Sequence, residues 1–258
     1  MIPIKDKVRL ARVPVVTIAL ILANVVAYLL AIGHGGSLIG GPTSETLVRY
    51  GAIPYEFSHL GAHCDLGLSG LGQAVLCTGQ HGVRGTAAPQ PATWETAFSA
   101  MFLHANILAL ALNMIFLAVF GITLEGTLGR LRFLCFYMLG GLAALALQVA
   151  VAPGSVAPLL GASGAIAAVL GGYILLYPRE RILSVVVLIF FFSVVEIPAW
   201  TWLAIWLALD CVLGMLGVLT PFGASASAAY YAQLGGFAIG LVTIRTFAGA
   251  NRSAAPAT

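Results

Sequence analysis

The stretch Leu160-Gly161-Ala162-Ser163-Gly164-Ala165 places a serine among small residues at the head of an apolar run. A serine hydroxyl is a weak nucleophile until a neighbouring base removes its proton. Small residues around it allow other helices, or a bound backbone, to come close. The pattern predicts either a nucleophile at the mouth of a buried helix or a helix-packing motif whose serine caps the helix.

The composition of the whole chain indicates a protein embedded in a membrane. The chain has 258 residues, of which 60% are hydrophobic and 8% are charged. A soluble domain carries about a quarter charged residues. Too few charges remain to cover a surface that faces water, so most of the exterior must face lipid. We expect no cofactor, no metal and no nucleic-acid partner.

Apolar runs predict six membrane spans. They cover residues 13–32, 96–121, 131–152, 161–177, 199–217 and 228–247. Pro198 divides the long apolar stretch before the fifth span, because proline lacks a backbone N–H and favours a helix start. Residues 182–195 are then predicted to dip into the cytoplasmic face without crossing it.

The placement of charge favours six spans with both termini in the cytoplasm. Short loops rich in Lys and Arg stay on the cytoplasmic side, and ten of the 12 basic residues fall on one side of this topology. We therefore predict an all-α protein of the cell membrane with six transmembrane helices. Residues 1–12 form a cytoplasmic N-terminus, 13–248 the membrane domain and 249–258 a disordered cytoplasmic tail.

One sizeable segment outside the membrane is predicted, the extracytoplasmic loop at residues 34–95. Loops of this length are usually functional or disordered. The loop contains Cys64 and Cys77. In an oxidising compartment a disulfide between them would stabilise the fold by roughly 3 kcal/mol in the chain-entropy model. Two free thiols are the alternative.

Two polar residues in the predicted second span favour a catalytic site. His104 and Asn113 are nine residues apart, so on one helix Asn113 would lie about two and a half turns deeper. Polar side chains in membrane helices are costly and usually face a polar interior. Asn113 is a candidate donor to an oxyanion beside Ser163. Hydrogen bonding between helices is the alternative role.

The chain resembles the rhomboid family of intramembrane serine proteases. The resemblance covers nearly the whole chain and rests on Tyr50-Gly51-Ala52-Ile53-Pro54, Phe102-Leu103-His104, Asn113-Met114, Glu125-Gly126-Thr127-Leu128-Gly129-Arg130, Gly161-Ala162-Ser163-Gly164 and Leu234-Gly235-Gly236-Phe237. It implies a six-helix bundle that holds a Ser–His dyad below the outer surface, with single-span transmembrane proteins as substrates. By this resemblance Ser163 is the nucleophile, and Asn113 is an oxyanion donor alongside the Ser163 backbone N–H. His104 is interpreted as a structural residue that orders the loop.

Two positions depart from the family pattern. Gln233 stands where the family places its catalytic histidine, and Ala109 stands where relatives often have a second oxyanion histidine. An amide has no nitrogen that titrates near neutral pH, so Gln233 can neither accept nor return a proton. The sequence therefore predicts a pseudoprotease that binds membrane clients and is inactive or severely impaired.

The alternative is an active intramembrane endopeptidase that uses Ser163 with an unconventional base. Candidate bases are Asp210 in the fifth span, His104 at the site, and the loop histidines His59, His63 and His81. A channel or transporter is disfavoured, because the sequence has neither a chain of buried charges nor paired broken helices.

Overall fold

The structure, a computed structural model, describes residues 2–6, 13–69, 72–81, 83, 90–188, 191–215 and 226–249. Its helices are α1 (Val15–Ile32), α2 (Ser44–Tyr50), α3 (Pro54–Ser58), α4 (Thr93–Ser99), α5 (Ile107–Phe116), α6 (Ile122–Leu128), α7 (Arg130–Val151), α8 (Ser163–Leu176), α9 (Ala199–Met215) and α10 (Ala226–Ala248). A π-helical turn, Leu117–Gly121, joins α5 to α6. Its strands are β1 (Ile2–Asp6), β2 (Cys64–Ser69), β3 (Gly72–Cys77), β4 (Arg181–Leu188) and β5 (Phe191–Pro198).

The longest apolar helices have the dimensions of membrane spans. Among the described residues, three helical stretches are long and apolar enough to cross a bilayer: Val15–Ile32, Ile107–Leu128 and Arg130–Val151. Shorter apolar helices occur at Ser163–Leu176 and Ala199–Leu209. This is the helical membrane protein that the composition predicts. The count of six spans and the cytoplasmic placement of both termini stay predictions.

The second membrane helix begins at Ile107 rather than at residue 96. Asn106 caps it, because the Asn106 side chain accepts a hydrogen bond from Ala109 N at 2.9 Å. Residues 93–99 form the separate helix α4. His104 therefore lies in the turn before α5, and the predicted two and a half helical turns between His104 and Asn113 are wrong.

The all-α prediction is incomplete, because the described residues also form two small β-sheets. β4 and β5 form an antiparallel hairpin from the Arg181–Pro198 pair to the Leu188–Phe191 pair, and β1 pairs with the other edge of β4. This segment is rich in β-branched and aromatic residues, which favour strands. The segment predicted to dip into the membrane face is thus a hairpin, and part of the predicted N-terminal tail is a strand. Residues 7–12 and 250–258 lie outside the described residues.

The predicted loop at residues 34–95 contains a folded unit, named the outer subdomain because the sequence predicts it on the extracytoplasmic side. β2 and β3 pair over their whole length, and a disulfide bond joins Cys64 to Cys77 where the hairpin begins. Glu56 is 4% exposed, and its carboxylate accepts a hydrogen bond from Cys64 N at 2.7 Å. The loop is therefore a small folded unit with its own core.

Helix α8 lies at the centre of the bundle, and residues 164–173 are all buried. Helix α10 crosses it at glycines: a Cβ at Gly236 would overlap the Gly164 carbonyl, and a Cβ at Gly240 would overlap the Ala168 carbonyl. Small residues spaced by four allow this approach. The contact brings the Ala232–Gln233 turn of α10 beside the start of α8.

Glu125 joins the first span to the second. Its carboxylate accepts hydrogen bonds from Val16 N at 2.9 Å, Thr17 N at 2.7 Å and Thr17 Oγ1 at 2.7 Å. The N-terminal N–H groups of a helix need partners from outside it, and α1 has no side-chain cap of its own. Glu125 thus caps α1 from a neighbouring helix.

Candidate active site

Backbone hydrogen bonds hold the segment that leads into Ser163. Gly161 N donates to Ala100 O at 2.8 Å, and Leu159 exchanges two hydrogen bonds with Ala52 at 2.8 and 3.2 Å. Gly161 has φ of 95°, a conformation that favours glycine, and this lets the chain turn directly into α8. The position of Ser163 is therefore set by the outer subdomain and by the end of α4.

The turn before Ser163 packs against Asn113 and His104. Asn113 Nδ2 lies 3.0 Å from His104 Nε2, and a Cβ at Gly161 would lie 3.4 Å from that same Asn113 nitrogen. An amide nitrogen carries two hydrogens, so the bond to His104 leaves one for another acceptor. The arrangement places an amide donor beside the N-terminus of α8, as an oxyanion site requires.

His104 is held as a neutral imidazole. The side chain is 1% exposed, and burial lowers the pKa of His104 to about 4. The Asn113 amide donates to Nε2, so the ring proton is assigned to Nδ1, which lies 3.2 Å from Phe102 O. Since the lone pair on Nε2 is engaged, His104 is poorly suited to act as a general base.

Ser163 is the first residue of α8 and is partly buried. The first N–H groups of a helix have no partner within it, and the helix dipole adds positive potential at this end. Gly164 follows, and a Cβ there would lie 2.5 Å from Ala144 Cβ. The serine therefore lies where α7, α8 and α10 meet.

Gln233 lies on α10 beside this junction and is 7% exposed. The carbonyl oxygen of its neighbour Ala232 would lie 3.8 Å from a Cβ on Gly164. Among the described contacts, no hydrogen bond joins Gln233 to Ser163. Ala109, which is 3% exposed in the first turn of α5, supplies a methyl group where a histidine would supply a ring.

The remaining candidate bases belong to the outer subdomain or are not described. The His59 ring stacks on Tyr55 with ring centroids 4.0 Å apart, and His63 and His81 are exposed. The side chain of Asp210 lies outside the described part of the chain. Within that part, no three His, Cys, Asp or Glu side chains come together as a metal site would need.

The Rhomboid domain family model matches residues 91–249, more than half of the chain. The chain belongs to the rhomboid family. The match confirms the resemblance predicted from the motifs, and it covers Asn113, Ser163 and Gln233 of this rhomboid protein. No curated protein matches the chain with significance.

The sequence predicted His104 near the site of this rhomboid protein, but not its contact with Asn113. The signal was available in Asn106, because an asparagine directly before an apolar run is a typical N-cap. A helix that starts at Ile107 leaves His104 in the preceding turn, free to fold back on Asn113. The pairing of the two side chains follows from that start.

Proposed function

We propose that this rhomboid-family protein is a pseudoprotease, which binds single-span transmembrane proteins at the Ser163 site without cutting them. The observation that carries the proposal is the buried amide of Gln233 on the helix that packs against α8. Serine proteolysis needs one group that takes the serine proton and returns it to the leaving amine. An amide does neither. In a soluble serine protease, loss of the base lowers turnover about a millionfold.

The rest of the site supports a role in binding. Asn113 remains oriented by His104, and Ser163 remains at the N-terminus of α8. These groups present hydrogen-bond donors to a carbonyl oxygen whether or not the adjacent bond is cut. A site that keeps its donors and lacks its base is suited to hold a client backbone.

An active endopeptidase would need a base from another residue. His104 is the histidine nearest to this role, because it contacts Asn113 directly. Its Nε2 already accepts from Asn113, and a pKa of about 4 makes its imidazole a weak base. The hydrogen bonding around His104 therefore favours the pseudoprotease over the active enzyme.

We place the protein in the cell membrane with both termini in the cytoplasm. Ten of the 12 basic residues fall on the cytoplasmic side of the six-span topology. The disulfide between Cys64 and Cys77 fits an outer subdomain in an oxidising compartment. The site then opens near the outer face of the bilayer.

A cleavage assay in liposomes tests the proposal. The native chain, Ser163→Ala and Gln233→His are each reconstituted with a single-span transmembrane reporter. We expect no cleavage from the native chain or from Ser163→Ala, and detectable cleavage from Gln233→His, because an imidazole restores the proton acceptor. Cleavage by the native chain that disappears in Ser163→Ala would overturn the pseudoprotease.

Binding is measured separately, by co-purification of the same reporter in detergent. The native chain and Ser163→Ala should retain the reporter equally, since binding does not need the nucleophile. A reporter without its transmembrane segment is the matched control and should be lost. Equal loss of both reporters would rule out client binding at this site.

A further inference from the structure

Helix α9 lies across the gap between α5 and α10, the helices that carry Asn113 and Gln233. The Trp206 ring of α9 lies 6.5 Å from Phe116 of α5 and 6.3 Å from Phe237 of α10. A transmembrane client that approaches from this side reaches the two amides only if α9 moves away.

The three-stranded sheet ties α9 to α5 at the end of the bundle opposite Ser163. β1 pairs with β4, with Pro3 opposite Ser184, and packs against α5 and the π-helical turn. β4 continues through β5 into α9, whose first residue, Ala199, donates its N–H to Glu180 O at 2.7 Å. β1 therefore links this sheet to α5.

Asp6 anchors β1 in the bundle. The residue is 7% exposed, and its Oδ2 accepts hydrogen bonds from Tyr173 OH at 3.0 Å and from Thr123 Oγ1. Tyr173 belongs to the last turn of α8 and Thr123 to the first turn of α6. A buried carboxylate is destabilising unless hydrogen-bond partners surround it. The position of β1 in the bundle therefore depends on these hydrogen bonds.

The closed arrangement also leaves two buried polar groups without partners among the described atoms. They are Ser184 Oγ on β4 and Trp202 Nε1 on α9, and their residues are 0% and 1% exposed. A buried group without a hydrogen bond destabilises the state that contains it. The closed arrangement therefore carries a penalty, which the hydrogen bonds of Asp6 help to offset.

We propose that residues 2–6 form an autoinhibitory strap. While Asp6 is bound, β1 holds α9 against α5, so a client binds only to the fraction of molecules from which β1 has left. When β1 leaves, α9 separates from α5 and the site becomes accessible from the bilayer. This regulation rests on the proposed function, because the strap controls access to the same client-binding site.

Spin-label distances in the full-length protein test the strap. Labels are placed at Leu108→Cys on α5 and Leu209→Cys on α9, which are 49% and 52% exposed, in a background without Cys135 and Cys211. Asp6→Ala should raise the population at longer distance about tenfold or more, because it removes the hydrogen bonds to Tyr173 and Thr123 that anchor β1. A distribution identical to that of the labelled parent would overturn the strap.

The matched control is Ile4→Ala, which changes the outward face of the same strand. Ile4 is 49% exposed, so its truncation should leave the distances unchanged. An equal shift in Ile4→Ala and Asp6→Ala would mean that any damage to β1 opens the bundle, and the anchoring role of Asp6 would be wrong.

A cross-linked strap keeps the test decisive if Asp6→Ala does not fold. Pro3→Cys and Ser184→Cys lie opposite each other in the register, at a separation that a disulfide can span. The oxidised protein should keep the short distance and lose the transmembrane reporter in co-purification. Undiminished binding by the cross-linked protein would overturn the strap.

Absence of binding in every variant would refute the proposed function. The spin-label distances between α5 and α9 would still show whether β1 holds the two helices together.

Discussion

At the scale of single residues, burial in the native fold disfavours protonation of the His104 imidazole. Its pKa is about 4 in the native protein against 6.5 for an exposed histidine, because burial disfavours the charged ring. Between these values the unfolded chain binds the proton and the native chain does not, so stability falls as the pH falls from 6.5 to 4. The loss is at most about 3 kcal/mol. Thermal unfolding in detergent across this range measures it.

His104→Gln should remove this component of the pH dependence. Glutamine does not titrate, and its amide can still accept from Asn113 and donate to the Phe102 carbonyl. His81→Gln is the matched control, because His81 is exposed, and it should keep the parental slope. If the slope of His104→Gln equals that of the parent, His104 is not held neutral by the fold.

At the scale of elements, the contact between α8 and α10 depends on glycine. A Cβ at Gly236 would overlap the carbonyl oxygen of Gly164, and a backbone atom at a helix crossing cannot turn aside as a side chain can. Gly236→Ala should therefore destabilise the protein by about 1–3 kcal/mol, the usual range for overpacking. The free energy of unfolding in bicelles or mild detergent measures the change.

Gly126→Ala is the control for this substitution. Gly126 is also helical, but an added Cβ there meets no atom within 4 Å. The variant should be neutral or more stable by roughly 0.4–1 kcal/mol, because alanine restricts the unfolded chain. Equal losses in both variants would show that the crossing of α8 and α10 tolerates a methyl group.

The elements also show how far sequence reasoning reaches. The close crossing of α8 and α10 has a local signal in the sequence, because small residues four apart, such as Gly236 and Gly240, allow two helices to approach. The strands β4 and β5 were not predicted, because a short apolar run has the same hydropathy in a strand as in a helix. The pairing of β4 with β1 joins residues far apart in the chain, such as Ile2 and Val185, which a local pattern does not contain.

The same limit applies to the site. Ser163, Asn113 and Gln233 became candidate site residues because each belongs to or adjoins a motif of neighbouring residues. The pairing of His104 with Asn113 depended on where one helix starts, and the seat of Asp6 on Thr123 and Tyr173 joins three separate elements. A local motif can indicate a candidate residue, whereas a contact between distant elements is seen only in the folded structure.

At the scale of the whole molecule, the outer subdomain and the membrane bundle meet at the segment that leads into Ser163. Ala52 pairs with Leu159, Tyr55 N donates to Ser155 O at 3.0 Å, and Ser58 Oγ donates to Pro153 O at 2.6 Å. These bonds join the outer subdomain to the connection between α7 and α8. Loss of structure in the outer subdomain should therefore also loosen the turn that positions Ser163.

Removal of the disulfide tests this coupling. Cys64 and Cys77 are 13 residues apart, and opening a loop of this size costs about 3 kcal/mol in the chain-entropy model. Cys64→Ser with Cys77→Ser should speed amide hydrogen exchange in β2 and β3 and at Leu159 N. Protection within α8 should persist, since its contacts lie in the bundle.

Cys135→Ser is the control for the disulfide variant. This cysteine is free and exposed, and its substitution should leave hydrogen exchange unchanged. If the hairpin loses protection while Leu159 N stays as slow as in the parent, the outer subdomain does not hold the turn before Ser163.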